Sequence, residues 1–293
     1  MRALIIGKNG QLGNSIHKII ANSKQVDEFV FAGREELDLS KEDSIQNYFN
    51  NNSFDIIVNC AAYTSVDKAE KEIDLADQIN HLAVKQLAEI ANKQKAKLIH
   101  ISTDYVFDGE SNQPYVETDT ANPINIYGKT KLAGEQAIQR IMHTNAIIIR
   151  TSWVYSDYGN NFVATMLRLG KERDKLSVVN DQVGSPTYAF DLANVILDII
   201  LNNDSKETSY TTQIYHYSNE GVISWYDFTK EIFNLAKTDC IVRPITTDEY
   251  PTLARRPKNT VMDKKKIMTK FNLTAIGWKQ SLNICIALLE EKK

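Results

Sequence analysis

The chain has 293 residues, of which 43% are hydrophobic and 24% charged, and its formal net charge is −3. This length predicts a sizeable buried core and two domains, or one domain with a large elaboration. Lysines and arginines are dispersed and no apolar run reaches membrane-spanning length, which argues against a nucleic-acid partner and against a membrane surface.

The N-terminal segment combines a strand, a glycine turn and a helix. Ala3–Ile6 is a continuous apolar run, typical of a strand buried on both faces in a parallel sheet. It leads into Gly7-Lys8-Asn9-Gly10-Gln11-Leu12-Gly13, after which apolar residues recur at helical spacing. Glycines allow a sharp turn close to a diphosphate, and the first amides of the helix can bind the anion. This context favours a dinucleotide-binding turn over a plain tight turn.

The end of the second predicted strand, Glu28–Ala32, bears on the choice of dinucleotide. A carboxylate there would bind the ribose hydroxyls of NAD, whereas an arginine suits the 2′-phosphate of NADP. Arg34 follows the strand and Lys8 lies in the glycine turn, so we expect NADP(H) to be preferred. Glu35 and Glu36 come next and leave the use of NAD(H) open.

Two further residues of this segment are candidates for contact with the adenine. Asp38 and Leu39 are placed to meet the adenine edge of the cofactor. Asp38 could instead cap a helix that begins near Lys41.

The third predicted strand, Phe54–Asn59, leads into a loop of small residues, Cys60-Ala61-Ala62-Tyr63. Small side chains are needed where the backbone passes close to a cofactor. Apolar residues from Leu75 to Ile90 then predict a long amphipathic helix with one face on the sheet. Asn80 inside it either supports the active site through a water or is a tolerated polar residue.

The fourth predicted strand, Lys97–Ile101, ends in Ser102-Thr103-Asp104-Tyr105. Ligands of open α/β sheets bind beyond the carboxyl ends of the strands, so Thr103 is well placed to offer a hydroxyl to a substrate carbonyl. Its alternative role is to cap a helix or turn. Ala146–Arg150 is the fifth predicted strand.

Tyr127 and Lys131 lie one turn apart in an amphipathic segment that runs to about Met142. A free phenol, with a pKa of about 10, is a poor proton donor or base at pH 7. A nearby ammonium stabilises the phenolate and would bring that pKa toward neutrality. Taken alone, the pair is more typical of two neighbours on a solvated helix face, since both residues are common on helices.

The second half departs from the simple alternation of strands and helices. Trp153 is either an exposed platform on which a ligand could stack or an ordinary core residue. Patterns predict a helix at Tyr188–Leu201, a polar loop from Asn202 to Thr212 and a strand at Gln213–Tyr217. Further helices are predicted after Asn161, at Trp225–Ala236 with Ser224 as the cap, and from Trp278 to Leu289.

The three glycines of the turn, Thr103 and the Tyr127/Lys131 pair together resemble the extended short-chain dehydrogenase/reductases. Within them, the chain resembles the dTDP-4-dehydrorhamnose reductase family. The similar segments are G-K-N-G-Q-L-G, S-T-D-Y-V-F-D-G, Y-G-K-T-K-L-A-G-E, R-T-S-W-V-Y, G-N-N-F and N-D-Q-V-G-S-P-T. They are dense up to about residue 190 and thinner beyond.

The resemblance implies an α/β fold with a Rossmann-like, doubly wound parallel sheet and a smaller C-terminal substrate-binding α/β part. We expect the NADP-binding domain to span residues 1–152, with the helix and strand of about 188–217 returning to it. Residues 153–293 would form the substrate-binding part.

The resemblance also implies an activity, the NADPH-dependent reduction of the 4-keto group of dTDP-4-dehydro-L-rhamnose to dTDP-L-rhamnose. Nicotinamide C4 would deliver the hydride and Tyr127 the proton, while Thr103 would orient the carbonyl and Lys131 would hold the nicotinamide ribose. The expected cofactor-binding residues are Gly7, Asn9, Gly10, Gln11, Leu12, Gly13, Arg34, Asp38, Leu39, Ala61, Ala62, Tyr63, Tyr127 and Lys131.

Contacts to the sugar nucleotide are implied for residues after the fourth strand and in the second half. Arg256 could clamp the substrate diphosphate with two hydrogen bonds, or could lie in a solvated surface turn. The expected substrate-binding residues are Thr103, Asp104, Tyr105, Trp153, Gln182, Thr187 and Arg256.

Related proteins have three other functions that compete with this assignment. Sugar-nucleotide 4,6-dehydratases carry Asp-Glu after the threonine, and Tyr105 cannot act as that second carboxylate. A 4-epimerase uses the same Tyr and Lys and is harder to separate. A non-catalytic NADP-binding regulatory subunit would need no proton donor, so the intact Thr103, Tyr127 and Lys131 argue against it.

The remaining polar residues predict neither a metal site nor a disulfide. The five histidines are isolated, and the three cysteines are widely spaced, as in reduced proteins of a cytoplasm. Some relatives bind magnesium through glutamates at a dimer contact, but the matching position is Ser15, which argues against a metal-bridged dimer. A homodimer formed in another way stays open, and the nucleotide sugar is the only other partner expected.

Overall fold

A six-stranded parallel sheet lies at the centre of the computed structural model, which describes residues 1–22, 28–201 and 211–292. Its strands are β1 (Arg2–Ile6), β2 (Glu28–Ala32), β3 (Ile56–Asn59), β4 (Lys97–Thr103), β5 (Ala146–Thr151) and β10 (Gln213–Tyr217). Their order is β10-β5-β4-β3-β1-β2, and each neighbouring pair is parallel. The shorter strands are β6 (Val154–Tyr155), β7 (Lys175–Val179), β8 (Val183–Gly184), β9 (Thr187–Tyr188), β11 (Ile223–Ser224) and β12 (Ile241–Ile245).

Helices cover both faces of the central sheet. They are α1 (Gln11–Ala21), α2 (Glu42–Asn50), α3 (Val66–Ala69), α4 (Ile73–Asp77), α5 (Ala83–Gln94), α6 (Ile126–Ile141), α7 (Phe162–Glu172), α8 (Ala189–Leu201), α9 (Trp225–Leu235), α10 (Lys265–Lys270) and α11 (Trp278–Glu291). One core cluster joins the sheet to α2, α5 and α6, and the other joins it to α1 and α8. Residues 3–6 of β1, 56–58 of β3 and 146–149 of β5 are apolar and buried, because helices cover both faces of these strands. The predicted doubly wound α/β fold is confirmed.

The segment before α5 differs from the single amphipathic helix that the sequence predicts. A π-helical turn, Gln78–Leu82, separates α4 from α5. Leu75 and Leu82 are 38% and 41% exposed, so the prediction that they face the sheet is wrong, whereas Ile79 and Leu87 are buried. The wider turn changes the helical spacing, so a stripe counted at the α-helical period no longer follows one face.

The second half builds its own core and also completes the sheet of the first half. A third apolar cluster joins α7, β7, α9 and α11, and β7 pairs with β12 in parallel. In contrast, α8 packs on α1, and β10 pairs with β5 along the register Gln213↔Ile147 to Tyr217↔Thr151. The division between residues 152 and 153 stays a prediction.

Element ends depart from the predictions by a few residues. β3 begins at Ile56, and Phe54 lies just before it as a buried core residue. β4 continues past Ile101 to Thr103. Ser224 caps α9, as predicted, by accepting a hydrogen bond from the backbone N–H of Asp227. Most of the predicted polar loop from Asn202 to Thr212 lies outside the described residues.

Among the helices of the described ranges, none combines the length and apolar character that a membrane span requires.

Candidate active site

A cleft of about 690 Å³ opens at the carboxyl ends of the central strands, between the glycine turn and the start of α6. This is where ligands of open α/β sheets bind, next to the point at which the strand order reverses between β1 and β3. Of the residues predicted for the site, the following line it: Gly7, Asn9, Gly10, Gln11, Leu12, Arg34, Asp38, Leu39, Ala61, Ala62, Thr103, Asp104, Tyr105, Tyr127, Lys131 and Trp153.

The glycine turn has the geometry that a bound diphosphate requires. Gly7 has φ +92°, a left-handed conformation that glycine adopts without strain. A Cβ on Gly13 would lie 2.2 Å from the carbonyl oxygen of Gly7, so Gly13 lets α1 pack closely on the turn without lining the cleft. Gly10 precedes α1 and no side chain caps the helix, which leaves the first amides of α1 for an anion. These residues fit a dinucleotide cofactor.

The two cations predicted to select NADP both have acidic neighbours. The ammonium of Lys8 lies 2.5 Å from Oε1 of Glu36, whose Oε2 accepts a hydrogen bond from the N–H of Gly33. These bonds hold the pKa of Glu36 below its ordinary value, so Glu36 is ionised at neutral pH. Nε of Arg34 lies 4.0 Å from Asp38, and its side chain is 77% exposed.

Asp38 does not cap the following helix. Its Oδ1 accepts hydrogen bonds from the N–H and hydroxyl of Ser40, and Lys41, which has no side-chain cap bond, occupies the position before α2. The capping alternative is therefore wrong, because the carboxylate closes a tight local turn instead. Asp38 lines the cleft, as its predicted contact with adenine requires.

The small-residue loop after β3 is shaped by two buried asparagines. The side chain of Asn80, in the π-helical turn, bonds directly to both the N–H and the carbonyl of Tyr63 and reaches the hydroxyl of Thr130. Asn59 accepts from the N–H of Ala61. The phenol of Tyr63 donates to Glu72 at 2.6 Å, and Tyr63 does not line the cleft. Asn80 thus supports the site through the backbone rather than as a merely tolerated residue.

Thr103 combines its two predicted roles. Its hydroxyl oxygen accepts from the N–H of Tyr105 at 3.2 Å, which caps the short 3₁₀ turn Asp104–Val106, and its hydroxyl also lies in the cleft. The hydroxyl donates to Oδ1 of Asp104 at 3.0 Å. Burial raises the pKa of the Asp104 carboxyl to about 6.

Tyr127 lies at the start of α6, whose N-terminus is capped by the side chain of Asn125. Burial raises the pKa of its phenol to about 12, although a hydrogen bond from Thr103 acts in the opposite direction. The expected lowering of this pKa by Lys131 is therefore wrong for this arrangement, because loss of hydration dominates. The phenol is fully protonated at neutral pH, which is the form that a proton donor needs.

Lys131 is almost completely buried, with 1% of its surface exposed. Its ammonium group donates to the carbonyl of Ile101 at 2.6 Å and lies 3.2 Å from Nε2 of His100. Burial lowers the pKa of Lys131 to about 8. Lys131 therefore changes protonation state close to physiological pH.

Trp153 forms one wall of the cleft together with a residue that the sequence did not single out. Its indole stacks on Trp225 with the ring centres 3.5 Å apart and the planes 10° from parallel. Gly184 also packs closely on the indole of Trp153, since a Cβ there would be 2.8 Å from the ring. Trp153 lies in the cleft and is half-buried, as the platform interpretation requires. No local pattern could have paired residues so far apart in the chain.

Three predicted substrate residues are not brought to the walls of the cleft. The amide of Gln182 donates to the hydroxyl of Thr247, and Thr187 is fully buried against the hydroxyl of Thr151. Arg256 forms two hydrogen bonds with the carboxylate of Asp67, at 2.6 and 3.2 Å. Each of these polar groups therefore already has a partner within the protein.

Within the described ranges, no group of three or more His, Cys, Asp or Glu side chains is arranged to hold a metal ion. Ser15, which the sequence analysis considered for a metal contact, is buried and donates to the carbonyl of Gln11.

Comparison with known proteins decides the family. The model of the family described as the RmlD substrate binding domain matches residues 1–291. The chain belongs to this family. The resemblance to dTDP-4-dehydrorhamnose reductases that the sequence motifs indicate is thereby confirmed.

Members of the family are similar to the chain over nearly its whole length. A dTDP-4-dehydrorhamnose reductase of Aggregatibacter actinomycetemcomitans is 42% identical over 287 residues, which cover 96% of this chain and 97% of that protein. The crystal structure of a reductase of this name from Clostridium acetobutylicum has a TM-score of 0.91 at 42% identity and covers 99% of this chain and 100% of that chain. A Bacillus anthracis reductase in complex with NADP has a TM-score of 0.89 at 40% identity, with 98% of each chain covered.

Proposed function

We propose that the chain is an NADPH-dependent reductase that converts the 4-keto group of dTDP-4-dehydro-L-rhamnose to a hydroxyl and yields dTDP-L-rhamnose. The observation that carries the proposal is that one cleft contains both the glycine turn and Thr103, Tyr127 and Lys131. Two proteins that are 42% identical to the chain are named dTDP-4-dehydrorhamnose reductase. The nucleotide sugar is the substrate, and a cytoplasmic location and a homodimer stay predictions.

The residues of the cleft divide the work of the reaction. The glycine turn and the first amides of α1 bind the diphosphate of the cofactor. When bound, the nicotinamide supplies a hydride to the carbonyl carbon. Thr103 would turn its hydroxyl proton from Asp104 to the carbonyl oxygen and so orient the substrate, and Tyr127 gives its phenol proton to the oxygen as the hydroxyl forms. Lys131 offers an N–H to the nicotinamide ribose, and the stacked Trp153 offers a flat apolar face to the deoxysugar.

The activity is tested by following the absorbance of NADPH with the purified protein and dTDP-4-dehydro-6-deoxyhexose. We expect NADPH to be consumed in proportion to the sugar and dTDP-rhamnose to appear on chromatography. A 4-epimerase would convert the sugar without net oxidation of NADPH, and a regulatory subunit would bind NADPH without converting the sugar. Either result would exclude the proposed reaction.

NADP(H) is the preferred cofactor and NAD(H) a possible one, and the contact between Lys8 and Glu36 accounts for the possible use of NAD(H). The carboxylate of Glu36 neutralises the cation that would otherwise bind a 2′-phosphate. We expect Glu36→Gln to raise the ratio of affinities for NADP⁺ over NAD⁺ by about two- to fivefold, and Lys8→Met to lower it, as is typical of exposed charge pairs. Calorimetry with each dinucleotide measures both.

Glu35→Gln is the matched control for the cofactor prediction. It removes the same charge from the neighbouring residue, which is exposed on the same turn. An equal change of the ratio in Glu35→Gln and Glu36→Gln would show that net charge alone, and not the contact with Lys8, sets the preference.

A further inference from the structure

Three nitrogen-bearing side chains form a buried row beneath the cleft. Nδ2 of Asn59, at the end of β3, lies 3.2 Å from Nδ1 of His100 on β4. Nε2 of the same imidazole lies 3.2 Å from Nζ of Lys131. Lys131 is 1% exposed and lines the cleft, whereas Asn59 and His100 are 0% exposed, so protein groups alone must satisfy the hydrogen bonds of Asn59 and His100.

The orientation of the Asn59 amide is fixed by the loop that follows it. Oδ1 of Asn59 accepts a hydrogen bond from the N–H of Ala61 at 3.1 Å, so the other end of the amide, Nδ2, faces His100. If the amide were reversed, its nitrogen would face the N–H of Ala61, which would place two donors together. An amide nitrogen only donates, so Nδ1 of His100 must accept.

This requirement determines which imidazole nitrogen carries the proton. Burial and the neighbouring Lys131 hold the pKa of His100 well below its usual value, so the ring is neutral. A neutral imidazole has one N–H and one acceptor nitrogen. With Nδ1 as the acceptor, the proton is on Nε2 and points toward Lys131. An ammonium has no lone pair with which to accept that proton.

We infer that His100, oriented by Asn59, is a positioning residue that donates its Nε2–H to Lys131 and thereby favours the neutral amine of this catalytic lysine. The inference deepens the proposed function, on which its kinetic consequence rests. The amine has a lone pair for His100 and one N–H for the carbonyl of Ile101, 2.6 Å away. One N–H remains for a ligand in the cleft, which Lys131 lines.

The other charged or titratable groups around Lys131 act in the opposite direction. Glu135 on the same helix and Cys60 after β3 raise its pKa, and burial outweighs both. The charge of Glu135 is shared with Arg150, and Tyr127 is a neutral phenol at these pH values. His100 therefore disfavours the ammonium, because it presents an N–H where the ammonium needs a hydrogen-bond acceptor.

The tautomer is tested directly by ¹⁵N NMR of the imidazole nitrogens of the full-length protein. The signal of His100 is identified among the five histidines by its loss in His100→Gln. We expect Nε2 to be protonated and Nδ1 to be unprotonated between pH 6 and 9. In Asn59→Asp, the carboxylate would accept from Nδ1 and the tautomer should reverse. A wild-type ring protonated at Nδ1 would overturn the inference whether or not the chain reduces the sugar.

A kinetic measurement tests the consequence for Lys131. The ammonium form stabilises negative charge that develops on Tyr127, so kcat/KM should fall as the pH rises through the pKa of Lys131, near 8. In His100→Gln, the side-chain oxygen can accept a hydrogen bond from the ammonium and so favours the ammonium form. We therefore expect the pH at which kcat/KM falls to rise by about one unit. If kcat/KM fell at the same pH in His100→Gln and in the wild type, the inference would also be overturned.

His216→Gln is the matched control, because His216 is equally buried but bonds to the carbonyl of Tyr115, away from the cleft. A general loss of stability would affect both variants. Only the loss of the contact with Lys131 would change the pH at which kcat/KM falls in His100→Gln and leave it unchanged in His216→Gln.

Discussion

Tyr127→Phe should lower kcat/KM for the keto sugar by about 10²- to 10⁴-fold, the usual contribution of a positioned general acid. The substitution removes only the hydroxyl of a half-buried side chain in the wall of the cleft. The glycine turn and the first amides of α1 are unchanged, so the Kd for NADPH should stay within about twofold of the wild-type value. Steady-state kinetics and calorimetry on the same preparation separate these two effects.

Tyr155→Phe is a suitable control for this experiment. Tyr155 is fully buried in the third core cluster, and its hydroxyl lacks a hydrogen-bond partner among the described residues. The same chemical change there should leave turnover unaltered. If Tyr127→Phe kept more than a tenth of the wild-type kcat/KM, another group would have to protonate the substrate oxygen.

Glu135→Ala should lower the free energy of unfolding by about 3–5 kcal/mol, the usual cost of breaking a buried ion pair. Glu135 and Arg150 are 1% and 4% exposed, and two atoms of the guanidinium bond to the carboxylate, the shortest contact being 2.7 Å. Ser102 also donates to this carboxylate. Without Glu135, a full positive charge would remain in the core without its carboxylate, beside the ring of Phe107, 5.1 Å away. Urea denaturation measures the change.

An exposed ion pair elsewhere in the chain calibrates this stability measurement. Arg168 and Glu172 also lie 2.8 Å apart, but their side chains are 60% and 52% exposed. Glu172→Ala should therefore cost only about 0.3–0.5 kcal/mol, the usual contribution of such a helical pair. Equal losses in the two variants would mean that burial does not decide the strength of the Glu135–Arg150 pair.

The sequence predicted the central sheet and much of the cleft because these depend on local patterns. Five of the six strands of the sheet are short apolar runs of the first half, and each predicts its own position. In a parallel sheet the carboxyl ends of the strands meet at one edge, so the glycine turn and Thr103 had to come together there. Tyr127 lies in the first turn of α6, and the sequence predicted this helix, so the position of Tyr127 in the fold followed from that prediction.

The sequence could not predict contacts between distant residues. The stack of Trp153 on Trp225 and the pairing of Arg256 with Asp67 join segments that only the tertiary fold brings together. The exposure of Leu75 and Leu82 was missed because a π-helical turn leaves no clear mark in the spacing of apolar residues. The pKa of Tyr127 was misjudged because spacing along a helix does not reveal how far burial excludes water from the phenol.

The late arrival of β10 has a consequence for the newly made protein. While the ribosome is still synthesising the residues before Gln213, β5 is the last strand of an unfinished sheet, and one of its sides presents unpaired backbone groups. Such an edge readily pairs with strands of other chains. A nascent polypeptide halted when β5 but not β10 has left the exit tunnel should therefore aggregate or recruit chaperones, and this tendency should end when Tyr217 emerges from the tunnel.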